Sequence, residues 1–167
     1  MPAKIRTESL PSLYDGLVNL AVATDHGGFS LKARIIQELT RLGHHVTDLG
    51  AHTEEPLDDY PDYAQAIAEE IRSHRADRAI LICGSGAGAC VAANKFRGIR
   101  AATCHDSFSA RQCVEDDDVN VLCLGARVVG SELAVDLVRT YIAAQFSGAD
   151  RHRRRLSKIA AFEADFH

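Results

Sequence analysis

The sequence predicts an α/β fold: a single doubly wound, Rossmann-like sheet of five parallel strands, with helices on both faces and a C-terminal helical arm. Two patterns lead to this reading. From residue 17 onward, apolar runs of strand length alternate with stretches of helical period, in the order βαβαβαβαβα. The runs at 79–83 (AILIC) and 121–124 (VLCL) are apolar at every position instead of alternating, as parallel strands buried on both faces require. The 167 residues, 46% apolar and 25% charged, fit one compact domain at ~100–200 residues per domain.

Residues 1–16 hold two of the four prolines and show no apolar period, so a loosely held extension is expected before a domain spanning 17–167. The first strand is read at 17–23. Leu31, Ile35, Leu39 and Leu42 then fall on one helical stripe, with Lys32, Arg34, Glu38 and Arg41 expected to point away from the core. Gly43 stops that helix. A strand at 46–49 follows, then a helix opened by Pro61 and carrying Tyr63, Ala66, Ile67 and Ile71. The strand at 79–83 runs into a glycine-rich turn and a further helix, and the fourth strand is read at 99–104. After the fifth, at 121–124, Ser131 is expected to cap a helix bearing Leu133, Leu137, Tyr141 and Ile142. Right-handed crossovers bring the loops after all five strands to one rim, where function in such sheets concentrates.

Charge narrows the function classes. With 19 Lys+Arg against 23 Asp+Glu, the net charge of −4 offers no general attraction to nucleic acid or to an anionic membrane. No apolar run approaches the ~20 residues that span a bilayer, and the first 20 residues lack the pattern of an export signal, so a cytoplasmic location is expected. The five cysteines (83, 90, 104, 113 and 123) show no CxxC pairing, which argues against a disulfide framework and a zinc site. His44, His45, His52, His74 and His167 occupy loop or terminal positions without ligand spacing and are expected to be solvated. No metal is assigned.

Four loops meet on the predicted rim: Asp25-His26-Gly27-Gly28, Cys83-Gly84-Ser85-Gly86-Ala87-Gly88, His105-Asp106 and Gly125-Ala126-Arg127. In the second of these, three glycines in five residues let main-chain amides converge on an anion at a helix start. Cys83 stands at its mouth, where amides and a helix dipole favour a thiolate, and is a candidate base or nucleophile; the alternative is a small buried hydrophobe. That second reading is preferred for Cys90, Cys104, Cys113 and Cys123. A solvated turn or a helix cap explains Asp25 as well as catalysis does. The acidic run Glu115, Asp116, Asp117 and Asp118 reads as a solvated helix end. Near the C-terminus, Arg151 and Arg155 lie one turn apart on a helix face and could grip a phosphate together, against the alternative of a solvated basic stretch.

Assembled in order, the motifs are TDHGG at 24–28 with Lys32 behind it, DYPDYA at 59–64, LICGSGAG at 81–88, AANKFRGIRAATCHD at 92–106, NVLCLGARVVG at 120–130 and RHRRR at 151–155. Together they resemble the ribose-5-phosphate isomerase B family, which includes the galactose-6-phosphate isomerase subunits, over roughly residues 17–162. The resemblance implies a doubly wound α/β subunit that interconverts an aldose phosphate and a ketose phosphate without metal or cofactor. It also implies a homodimer whose clefts are shared between subunits, with further pairing of dimers left open.

Carried onto this sequence, the resemblance makes Cys83 the base that moves a proton between C1 and C2. The loop containing Gly84, Gly86 and Gly88 becomes the pocket for the enediolate oxygens, and Ser85 the group that passes protons between them. Asp25 and Tyr60 match positions that contact sugar hydroxyls, while His26, Arg127, Arg151 and Arg155 match phosphate-contacting positions. Asp116 and Asp117 stand where many family members have His-Asn or His-Asp, the histidine assisting furanose ring opening. A carboxylate with a reference pKa of ~3.9 accepts a proton from a ring hydroxyl but is a poor donor to the ring oxygen. A four-carbon aldose phosphate cannot close a furanose ring through a phosphorylated O4 and has no use for that histidine. Ribose 5-phosphate is therefore the default substrate and a tetrose 4-phosphate the competitor. Two readings from other classes remain: a binding protein that kept the fold and lost catalysis, and a dinucleotide-binding protein. The latter takes Gly84-Ser85-Gly86-Ala87-Gly88-Ala89 as a G-x-G-x-x-G/A fingerprint and Asp106 as the ribose-binding acid.

Overall fold

The computed structural model describes residues 16–164; the expected N-terminal extension, apart from Gly16, and His167 lie outside the described residues. Five strands, β1 (Asn19–Thr24), β2 (His45–Asp48), β3 (Arg78–Cys83), β4 (Ala101–Thr103) and β5 (Val121–Gly125), form one sheet in the order β2-β1-β3-β5-β4. Every pairing is parallel. Six α-helices follow the strands or their loops: α1 (Phe29–Arg41), α2 (Tyr60–Arg72), α3 (Ala87–Ala93), α4 (Ser107–Asp117), α5 (Ser131–Ala143) and α6 (Asp150–Ala164). No helix among the described residues is long and apolar enough to cross a membrane.

The sheet separates two apolar cores, which is why its central strands β1, β3 and β5 are buried almost end to end, whereas the edge strands β2 and β4 are not. Leu20, Val22, Ile80, Ile82, Leu122 and Leu124 face one core with α1, α4 and α5. Their strand neighbours Ala21, Ala23, Ala79, Leu81, Cys83, Val121 and Cys123 face the other, with α2 and α3. Small residues on this second side, including Ala64, Ala68, Ala89 and Ala93, let the helices approach the sheet closely. At the sheet edge β4 is only three residues long, against six expected. Beside it the Asn94 carboxamide stands in for a neighbouring strand, accepting from the Ala101 N–H at 2.9 Å and donating to the Ala101 carbonyl at 2.9 Å.

Several side chains depart from the pattern read in sequence. Gly43 does end α1 with a positive φ of 92°, and Leu31, Ile35 and Leu39 are buried, but so are Lys32 and Glu38. Lys32 turns inward because its Nζ donates to Asp48 Oδ1 at 2.6 Å and to the Ala51 carbonyl at 2.7 Å, bracing the loop after β2. Leu133, expected in the core, is 42% exposed. Gly130 rather than Ser131 is the N-cap of α5. His44 is buried rather than solvated, its Nδ1 accepting from the Val18 N–H at 3.3 Å.

Glu38 is 2% exposed and joins α1 to α5: it accepts from Arg41 on its own helix and from Arg139 Nε at 2.8 Å. These guanidiniums, Arg41 first, lower its carboxyl from 4.5 to about 2. A depressed folded-state pKa stabilises above 4.5, and that contribution is lost as pH falls through about 2. Replacing Glu38 with Gln is expected to cost about 1.5–3 kcal/mol at neutral pH, since the hydrogen bonds from both arginines lose their charged acceptor. Urea unfolding at pH 7 and pH 2.5 checks this: the gap between the two proteins should narrow at the lower pH.

Candidate active site

The carboxyl ends of β1, β3 and β5 are neighbours in the sheet, so the loops that leave them share one cleft. It encloses about 300 Å³ and is lined by Asp25, His26, Tyr60, Cys83, Ser85 and Arg127, with Gly27, Gly84, Gly88 and Val128. Eight of the residues singled out in sequence are therefore together: Asp25, His26, Tyr60, Cys83, Gly84, Ser85, Gly88 and Arg127.

Cys83 is the last residue of β3, and its Sγ accepts a hydrogen bond from the Gly86 main-chain N–H at 3.1 Å. The turn that aims this amide back at the sulfur needs φ +80° at Gly86. A Cβ there would also meet Thr103 Cγ2 at 2.9 Å and Gly125 N at 3.1 Å, so glycine is required twice over. Gly88 leaves room for the Tyr60 ring, which a Cβ would strike at 2.9 Å. Ser85 is exposed at the tip of the loop, its Oγ accepting from the Ala87 N–H at 3.3 Å. Arg127 folds over Gly84, and the two segments are tied by Arg127 N–H to Gly84 O at 3.0 Å and Ala126 N–H to Cys83 O at 2.9 Å.

On the β1 side, Asp25 is 5% exposed and its Oδ1 has no hydrogen-bond partner among the described residues. Burial pushes its carboxyl above the usual value, partly offset by His26. His26 is held by a residue that sequence reading passed over. Asp58, in the loop before α2, accepts from the His26 main-chain N–H at 3.0 Å and meets the ring Nδ1 at 2.7 Å. Tyr63 donates to its other oxygen at 2.8 Å. Nothing in the run Glu54, Glu55, Asp58, Asp59 marks one acid as the buried one; only its offset before the helix that carries Tyr63 hints at it.

Of the remaining candidates Gly86 belongs to the same loop, and the other four lie elsewhere on the chain. Helix α4 begins at the rim, capped by Asp106, and runs back antiparallel to the strands, so Asp116 and Asp117 sit at the opposite end of the sheet from Cys83. Arg100 and Asn120, which lead into β4 and β5, bond to each other there, and Arg100 also bonds to the Asp117 and Asp118 carbonyls. Asp116 also meets α6. His152, 1% exposed, places its Nδ1 2.8 Å from Ser147 Oγ and 3.4 Å from Asp116 Oδ1. Arg151 and Arg155 are exposed on the same helix and do not line the cleft. A wider apolar groove of about 750 Å³ runs between the β4 side and α6, lined by Phe96, Ile99, Ile159, Phe162 and Asp117 among others.

Two further rim residues are engaged structurally. Asp106 accepts from the Ser109 N–H at 2.8 Å as the cap of α4, and His105 Nε2 accepts from the Gly125 N–H at 3.2 Å. The glycine loop follows β3, whereas a dinucleotide fingerprint normally follows the first strand of its unit. Among the described residues no group of three or more His, Cys, Asp or Glu is placed to hold a metal ion.

A family model described as Ribose/Galactose Isomerase matches residues 20–159, which takes in all of the sheet except Asn19 and all but the end of α6. The chain belongs to this family. The ribose-5-phosphate isomerase B of Escherichia coli (strain K12) is 43% identical over 144 residues, covering 86% of this chain and 95% of the relative. A D-erythrulose-4-phosphate isomerase of Pectobacterium atrosepticum is 37% identical over 149 residues, covering 88% and 96%. Among solved structures, the ribose-5-phosphate isomerase B of Clostridium thermocellum superposes with a TM-score of 0.87 at 44% identity, covering 89% of this chain and 99% of that one. The Mycoplasma genitalium enzyme with bound ribulose-5-phosphate gives 0.84 at 38% identity, covering 87% and 96%. The expected doubly wound parallel sheet of this isomerase family is the fold observed.

Proposed function

We propose that this member of the ribose/galactose isomerase family is a cytoplasmic, cofactor-independent aldose–ketose isomerase acting on a sugar phosphate, with ribose 5-phosphate as its main substrate. The observation that carries the reading is the Cys83 sulfur at the floor of the cleft with a loop amide directed onto it. Proton transfer beside a carbonyl needs a base within reach of the carbon and donors aimed at the oxygen that gains charge; losing one such donor typically costs ~2.7–4 kcal/mol. The loop after β3 brings both together.

In this mechanism Cys83 takes the proton from C2 of the open-chain aldose and returns it to C1. Amides of the Gly84, Gly86 and Gly88 loop meet the enediolate oxygens, and Ser85 carries the O2 proton to O1. Asp25, buried with one oxygen unpartnered, and Tyr60 meet sugar hydroxyls, while His26 and Arg127 meet the phosphate. Asp116, Asp117, Arg151 and Arg155 cannot join this cleft in cis, because α4 carries the acids to the far end of the sheet. In the proposed homodimer a second copy supplies them. The apolar side chains Ile159 and Phe162 on α6, 42% and 62% exposed, are what such a copy would cover.

A tetrose 4-phosphate is the second reading, favoured by one residue: Asp116 is a carboxylate, a poor proton donor, where ring opening calls for a donor. Incubating both aldose phosphates in D₂O is expected to label C2 of the aldose or C1 of the ketose. Measuring kcat/KM for ribose 5-phosphate and erythrose 4-phosphate then decides between them: a pentose preference of about a hundredfold or more removes the tetrose reading, and the reverse ratio removes the pentose one.

A further inference from the structure

We propose that Asp58 is a positioning residue for the phosphate end of the cleft, clamping His26 at the cleft mouth and supplying the counter-charge that suits the imidazole to a phosphate dianion. The proposal rests on the reading above, in which His26 meets the phosphate. Asp58 lies in the loop between β2 and α2, outside every motif quoted for the family resemblance, and its side chain is 11% exposed.

Both of its oxygens are committed. Oδ1 accepts from the His26 main-chain N–H and sits 2.7 Å from the ring Nδ1, while Oδ2 accepts from the Tyr63 hydroxyl. The main-chain N–H of His26 and the Tyr63 hydroxyl fix the carboxylate in place, so turning the ring away breaks its Nδ1 contact with an acceptor that cannot follow it. With Nδ1 occupied, Nε2 is the nitrogen left for a ligand in the cleft that His26 lines.

The charge matters as much as the geometry. A phosphate monoester becomes a dianion above pH ~6, where an ordinary imidazole is losing its proton. The Asp58 hydrogen bond raises His26 above its usual 6.5, with smaller contributions from the Asp25 and Asp58 charges. Asp58 is lowered, His26 and Tyr63 outweighing its burial, and the Tyr63 phenol is pushed up to about 12, so the carboxylate stays ionised beside a neutral phenol. The other ionisable groups on the cleft wall are Tyr60 from α2, Cys83 from the end of β3 and Arg127 after β5. A raised pKa keeps the ring cationic to higher pH, and phosphate affinity is lost only as pH climbs through that raised value. Cation and dianion therefore coexist over a range that an unassisted histidine would miss.

Asp58→Asn separates charge from shape, because the carboxamide oxygen still accepts from the His26 N–H and ring. NMR titration of the His26 imidazole, with and without inorganic phosphate, is expected to show a midpoint above 6.5 in the parent protein and a fall toward 6.5 in Asp58→Asn. KM for the sugar phosphate at pH 7.5 should rise about tenfold with kcat changed less than about twofold, and kcat/KM should break at lower pH. Tyr63→Phe, which keeps the carboxylate, should retain the raised midpoint. An unchanged midpoint in Asp58→Asn, or a loss confined to kcat with an unaltered pH profile, overturns the proposal. So does a midpoint at or below 6.5 in the unmutated protein, a measurement that needs no variant to fold. If phosphate leaves the His26 signals unmoved in the parent protein, the underlying site reading fails and the proposal falls with it. If phosphate moves them equally in parent and Asp58→Asn with the same pH dependence, only the role of Asp58 fails.

Discussion

Cys83→Ala is expected to lower kcat by about a thousandfold or more, within the ~10²–10⁴ range typical of a positioned general base, and to abolish deuterium incorporation into the sugar phosphate. Inorganic phosphate should still raise the melting temperature of the variant, because the groups assigned to the phosphate, His26 and Arg127, lie on the loops after β1 and β5 and do not depend on the sulfur. The fold should tolerate the change. Cys83 packs on the side of the sheet rich in alanine, beside Ala23 and Ala89, and losing one sulfur atom there costs about 1 kcal/mol. Cys83→Ser keeps the size of the side chain but replaces the thiol with a far weaker acid, so it should recover stability without recovering rate. Near-normal turnover by either variant would remove Cys83 from the role of base and return it to the buried-hydrophobe reading.

Mixing two inactive variants should restore activity. In a dimer with shared clefts, Cys83→Ala spoils the cleft of its own subunit, whereas the Arg151→Ala/Arg155→Ala double variant spoils the cleft of its partner. When the two are exchanged in equal amounts, half of the dimers are mixed. Each mixed dimer pairs one intact Cys83 loop with one intact pair of arginines, so about a quarter of the parent activity should return. If each chain instead supplied all of these groups to its own cleft, every site in the mixture would carry a lesion and none would work. Native mass spectrometry confirms exchange. Mixed dimers without regained activity would sink the shared cleft and leave Asp116, Asp117, Arg151 and Arg155 without a place in the chemistry.

Much of the fold is legible in sequence because local periodicity reports it directly. Residues that alternate between two buried faces, such as Ala79, Ile80, Leu81 and Ile82, must all be apolar, and this alone points to a sheet covered by helices on both sides. The glycine loop is legible for the same kind of reason: Gly86 needs a left-handed backbone angle, and Gly88 must admit the Tyr60 ring. Side chains whose surroundings are supplied by distant segments are not legible. Lys32 and Glu38 read as solvated charges on the polar side of α1, yet both are buried, because Asp48 and Arg139 come from other parts of the chain to meet them. His44 misleads in the same way.

The amino-acid sequence by itself determined the layered α/β architecture, the family, and three of the loops that meet around Cys83, those after β1, β3 and β5. Each of these follows from spacing within a single element or from motifs in their order along the chain. Only the tertiary structure decided that Asp58 is the acid beneath His26, and that the candidates divide between two ends of the molecule. The physical reason for that division is helix direction. A helix joining parallel strands must run against them, so Asp106 and Asp116, ten positions apart on or beside α4, lie at opposite ends of the strands. Sequence proximity reports neither that separation nor the pairing of residues 26 and 58 across the intervening helix α1 and strand β2.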